Sequence, residues 1–158
     1  MKISKRWLQK KSACTEGMVI IDWVVANCKN GEAVDVIRAL MDHRLDWANW
    51  LIVRVMDRPQ KLAYAIFAAE QVIDIFEKKY PNNKAPREAI EAAKAVLEND
   101  TQENRDIAAI KRRAAADAYA AAAAADAADA AAAADADAAR KQMQIKILEY
   151  GLSLLKDK

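Results

Sequence analysis

The chain has 158 residues, 54% of them hydrophobic, with only three glycines and three prolines. That length suits one domain, and so few turn-forming residues exclude a sheet protein with its many reversals, leaving a small number of long helices. The net charge of +2 removes the bulk electrostatic case for a nucleic-acid partner.

The first eleven residues carry Lys2, Lys5, Arg6, Lys10 and Lys11 and no acid. No apolar stretch of signal-peptide type follows them, which gives the expectation of a cytoplasmic protein. A first helix is predicted over about 12–28, with Met18, Ile21, Val25 and Cys28 on one face and Trp23 beside it. On that helix Cys14 and Cys28 lie about 21 Å apart at 1.5 Å per residue, too far for a disulfide, so both read as reduced core thiols. Asn30-Gly31 supplies a turn with positive φ. A second helix over about 32–43 presents Val34, Ile37, Leu40 and Met41. A third starts near Asp46 as N-cap and shows one wide apolar face with Trp47, Trp50, Leu51 and Val55.

Asp57 is placed to cap a fourth helix with Pro59 in its first turn. Leu62, Ile66, Ala69, Ile73, Phe76 and Tyr80 then alternate intervals of four and three, a continuous seam that Pro81 ends. Pro86 opens a fifth helix with Ile90, Ala93 and Leu97 facing inward. Asp100 and Glu103 have capping-box spacing. Beyond them no Gly or Pro occurs before Gly151, so residues 102–150 are expected to form one helix about 70 Å long.

Between Ala114 and Ala139 this helix is built of Ala, Asp and one Tyr. The tail seam Ile145, Leu148, Leu152, Leu155, continued backwards, passes through Ala138, Ala134, Ala131, Ala127, Ala124 and Ala120 and meets no Asp. Such a seam packs closely, either on the fourth or fifth helix or on a second copy of the chain. Asp126, Asp129 and Asp137 fall on another side within an arc of about 80° at 3.6 residues per turn. They either keep the rod in solution or form an acidic ridge for a basic partner. Five Asp in this stretch also exclude a membrane span.

No nucleophile constellation, metal-binding motif or phosphate-binding loop is present, so no catalytic residue, cofactor or metal is assigned. The sole histidine, His43, reads as a helix-end residue. Trp23, Trp47 and Trp50 read as core. Lys5, Arg6 and Trp7 form a basic aromatic group that either docks on the domain or contacts an acidic partner.

The segments ACTEGMVIIDW (13–23), DWANWLIVRVM (46–56), FEKKYPNNKAPREAIEAAKAVLEN (76–99) and TQENRDIAA (101–109), followed by the Ala-rich rod ending in ARKQMQIKILEYGL (139–152), resemble the putative immunity protein family. These are all-helical proteins of bacterial polymorphic-toxin loci and phage genomes, and the block EKKYP with PREAIEAAKA is the most specific part of the likeness. The resemblance implies a non-enzymatic protein that binds a toxin or host defence effector and neutralises it. A phage-encoded counter-defence inhibitor, a nucleic-acid binder using KISKRWLQKK and IKRR, and a self-associating helical protein are the alternatives. The expected architecture is all-α: a bundle of about five shorter helices in residues 1–100, with the long Ala-rich helix of 101–158 packed on it in one domain. Its partner residues are expected among Asp126, Asp129, Asp137, Lys5, Arg6 and Trp7.

Overall fold

The computed structural model describes residues 1–15, 17–19, 26, 28, 31–126 and 134–156; for 121–126, 134–137 and 156 it describes the backbone alone. The fold is all-α. Its named helices are α1 (Lys5–Lys10), α2 (Ala33–His43), α3 (Leu45–Val55), α4 (Arg58–Glu70), α5 (Ile73–Lys79), α6 (Ala85–Glu98), α7 (Gln102–Asp126) and α8 (Ala134–Lys156). None of these is long and apolar enough to cross a membrane. The chain divides into two compact units, Met1–Gln60 with Gln144–Lys158, and Lys61–Met143.

In the first unit, α1 is a short helix with no counterpart in the sequence expectation. Ser4 starts it by accepting the Trp7 amide at 3.2 Å. The segment before it pairs with residues 31–33 through Ile3 N to Gly31 O (2.9 Å) and Ala33 N to Met1 O (2.8 Å). Gly31 adopts φ 60°, as the Asn-Gly turn requires. Helix α2 buries Val36, Ile37 and Leu40, and α3 buries Trp47, Ala48, Leu51 and Ile52. The two pack together.

Asp46 is not the cap of α3. It lies in the first turn, and Arg44 occupies the cap position. Arg44 grips both Asp46 oxygens at 3.0 and 2.8 Å, so the carboxylate serves an ion pair at the helix N-terminus. Gly17 faces the Trp47 ring so closely that a Cβ there would overlap it. The expected face through Ile21, Trp23 and Val25 lies outside the described residues. Cys28 is half-buried and Cys14 exposed, both as free thiols, so neither is a core thiol. On α8 the tail seam holds: Leu148 and Leu152 are buried, with Ile145 and Leu155 half-buried.

Asp57 and Gln60 close a reciprocal capping box at the start of α4, each side chain accepting the other's amide at 3.0 Å. The single fourth helix expected to Tyr80 is broken. Gln71 and Val72 form a turn, with Val72 N bonded to Ala69 O three residues back (3.1 Å), and α5 begins at Ile73. Three β-branched residues, Val72, Ile73 and Ile75, make this the weakest helix-forming stretch of the seam. The seam survives the break: in the second unit Ile66 and Ile73 cluster with Ile90, packed by Leu62, Ala69 and Ala93.

Helices α6 and α7 form a hairpin. Thr101, not Asp100, caps α7, its hydroxyl accepting the Asn104 amide at 3.1 Å. Asp100 instead holds Arg105 through both oxygens, at 2.7 and 3.0 Å. The Asn104 side chain reaches back to Ala95 O (3.2 Å) and Asn99 O (2.8 Å), satisfying carbonyls at the end of α6.

The face that α7 turns inward is Asn104, Ala108, Lys111, Ala115 and Ala118, again at intervals of four and three. Ala120 and Ala138, the expected seam positions of this rod whose side chains are described, are exposed and do not pack within the chain. Ala120 is two residues beyond Ala118, about 200° around the helix. Ala124 lies where only the backbone is described, as does Ala134, while Ala127 and Ala131 lie outside the described residues, as does the join between α7 and α8.

Leu97 is 42% exposed, and Val96 at 6% takes the inward place assigned to it. Val96→Ala is therefore expected to cost about 2 kcal/mol and Leu97→Ala under about 1 kcal/mol in urea unfolding. Equal costs would contradict this register.

Candidate partner-binding surface

The block EKKYPNNKAPR of the second unit builds a braced loop between α5 and α6. Tyr80 N bonds to Phe76 O (2.8 Å) and ends α5, and Asn83 N closes a turn on Tyr80 O (3.0 Å), with Pro81 fixing φ in the turn. Asn83 Oδ1 accepts the Ala85 amide at 3.2 Å, and Pro86 begins α6 where no amide donor is needed. The loop encloses an open hollow of about 530 Å³ lined by Lys79, Tyr80, Pro81, Asn82, Asn83 and Lys84.

Three contacts fix the flanks of this hollow. Arg87 on α6 binds Glu77 on α5 in a fork, Nε to Oε1 at 2.8 Å and Nη2 to Oε2 at 2.7 Å, and also reaches Asp74 at 3.3 Å. Phe76 stacks at a tilt between Tyr80 (centroids 5.0 Å) and Tyr119 of α7 (4.8 Å). Lys111 of α7 meets Glu88 in the first turn of α6 at 2.7 Å.

The Arg87 hydrogen bonds hold the Glu77 carboxyl below its usual value, with the nearby Lys84 charge adding to the effect. Glu77 in turn stabilises the charged Arg87 guanidinium, raising its pKa. Lys79 and Lys84 line the hollow, and both nearby α5 carboxylates, Asp74 and Glu77, are engaged by Arg87.

Large apolar side chains are also exposed in this unit. Val72 (39%), at the N-cap of α5, and Ile75 (67%), in its first turn, are two of them, and Lys79 follows Ile75 by one further turn. Ile107 and Ile110 (43% and 68%) form a second such pair on α7.

The sequence-predicted partner residues lie elsewhere. Lys5 and Arg6 are exposed on α1, and Trp7 beside them is half-buried with Lys11 Nζ 5.8 Å from its ring centre. Asp126 ends α7 and Asp137 lies on α8, both described by backbone alone, while Asp129 lies outside the described residues. His43 is exposed in the last turn of α2. The α5–α6 loop was visible in the sequence as PNNKAP punctuation, but the ion pair that braces it depends on Arg87 folding back over ten residues to Glu77.

Because the Glu77 pKa is depressed in the fold, the ion pair contributes stability above the ordinary carboxyl value and loses it as pH falls through the depressed one. Arg87→Gln is expected to return the Glu77 midpoint toward 4.5, followed by carboxyl carbon NMR. A midpoint that stays depressed in the variant would show that the guanidinium is not its cause.

The family model for the Imm-5 like putative immunity protein matches residues 52–154, all of the second unit and parts of the first. No curated protein and no solved structure matches the chain. With the match spanning well over half of its length, the chain belongs to the Imm-5 like putative immunity protein family.

Proposed function

We propose that the chain is a non-catalytic inhibitor that binds one protein in the cytoplasm and neutralises it by stoichiometric occupation. The observation that carries this reading is the family match over 52–154. An immunity protein meets a toxin, and the toxin's activity, not its own chemistry, defines its task. Two features support the reading. Six of the large exposed apolar side chains, from Val72 to Tyr119, lie inside the matched segment, and exposed apolar groups beside charges are what a protein interface uses. The α5–α6 loop is braced before any partner arrives, which lowers the ordering cost of binding.

The target is the toxin whose gene neighbours that of this chain; a host defence effector is the alternative occupant. Binding by Asp126, Asp129 and Asp137 or by Lys5, Arg6 and Trp7 belongs to the same reading as a secondary contact.

Mixing the purified chain with the candidate toxin at varied ratios is expected to abolish toxin activity at one equivalent, with a 1:1 mass by light scattering. Protection at a small fraction of an equivalent would indicate catalysis. Absence of any complex with the neighbouring toxin and with defence effectors would refute stoichiometric inhibition.

A further inference from the structure

We infer that one exposed face of α7 binds a second copy of this chain, with the two helices running in opposite directions. Glu103, Ile107, Ile110 and Ala114 follow one another at intervals of four, three and four, which keeps them on one side of the helix. That side lies about 100° around α7 from the face that Asn104, Ala108, Lys111 and Ala115 turn inward, so the packing of the hairpin leaves it bare. All four residues are exposed, and Ile110, at 68%, is the most exposed large apolar side chain among the described residues.

The charges along this face select the occupant. Glu103 and Asp106 stand at its N-terminal end and Arg113 at its C-terminal end, all exposed. Glu103 and Arg113 have no ion pair among the described residues. Asp106 accepts the side-chain amide of Gln102 at 2.9 Å, and the adjacent Arg105 is held by both oxygens of Asp100. Of the other cations nearby, Lys111 pairs with Glu88, and Arg112 lies about 180° around the helix from the stripe. The face is acidic at one end and basic at the other, so it complements itself once reversed.

With Ile107 opposite Ile110 of the second copy, Arg113 falls level with position 104, between Glu103 and Asp106 of that copy, and the twofold axis repeats the contact. Asp117, one turn further on, falls level with position 100, beyond the start of the other α7 and outside the paired length. A parallel pairing sets Arg113 level with Arg113 and acid level with acid. An acidic segment or a nucleic acid meets repulsion from Glu103 and Asp106, and a basic segment meets it from Arg113. Two isoleucines and one alanine from each copy bury far less than the roughly 1,600 Å² of a standard interface, so pairing is expected at concentrations on the order of 100 µM. It therefore leaves the mass of a toxin complex at low micromolar concentration unchanged, and it does not rest on the toxin reading.

The test is sedimentation equilibrium of the full chain from about 10 µM to about 1 mM. The mean mass is expected to rise from one chain toward two and to stop there. Ile110→Asp is expected to weaken association at least tenfold. Arg113→Glu alone, and Glu103→Lys with Asp106→Lys, are each expected to weaken it at least threefold. An equimolar mixture of these two charge variants is expected to associate at least as tightly as the parent chain, because every reversed charge then meets its opposite, and that rescue also reports intact folds. A single-chain mass at every concentration would overturn the inference. So would association that Ile110→Asp leaves unchanged, which would assign the contact to another face, or a mixture no tighter than its separate components.

Discussion

An alanine-rich helix cannot hold itself to a protein by hydrophobic area, and the organisation of the second unit follows from that constraint. Each methyl group buries little surface, so Ala108, Ala115 and Ala118 give α7 a smooth, weakly adhesive inner face. Its attachment comes from larger groups spaced along it. Asn104 ties its start to the carbonyls of Ala95 and Asn99, Lys111 reaches Glu88, and Tyr119 meets Phe76. What small side chains do provide is close approach, and the tether residues determine which face approaches.

The same tethers brace the α5–α6 loop. Phe76 is shared between Tyr119 on α7 and Tyr80 at the loop's edge, and Glu88 lies one residue from Arg87, whose guanidinium grips α5. The ion pairs among them are partly exposed to solvent, and such pairs contribute modestly one at a time. Together they hold the loop of residues 80–84, with the neighbouring carboxylates Asp74 and Glu77 engaged. An ordered loop in a unit that also exposes Val72 and Ile75 suits recognition of another protein, the role that family membership supports.

The contrast between what was legible and what was not follows the range of the interactions. The Gly31 turn, the Asp57 cap and the Leu148–Leu152 seam are written in local spacing, and the structure has them where the spacing put them, while α2 buries the expected Ile37 and Leu40 with Ala33 and Val36 and leaves Val34 and Met41 half-buried. The break at Gln71–Val72 was hidden because the seam keeps its interval across the turn. Val96 displaced Leu97 from the interior because α7 lies against α6 on a side that no periodicity of α6 alone distinguishes. The side of α7 that packs within the chain was not legible for a related reason. A helix of alanines looks the same from every side, and the tail's register does not determine which side α7 buries. Of the site, the charged residues were readable, but their pairing across Glu77, Asp74 and Arg87 required the fold, and so did the exposure of Ile75 and Ile110.

The proposed partner contact falls to the second unit, at the loop that Arg87 braces. The most direct test is amide hydrogen exchange of the chain alone and saturated with its neutralised protein partner. The account predicts that the strongest added protection falls on residues 79–84 and extends to exposed Ile75. Protection confined to Lys5–Lys10 or to the tail beyond Gln144, with the loop exchanging as in the free chain, would contradict it.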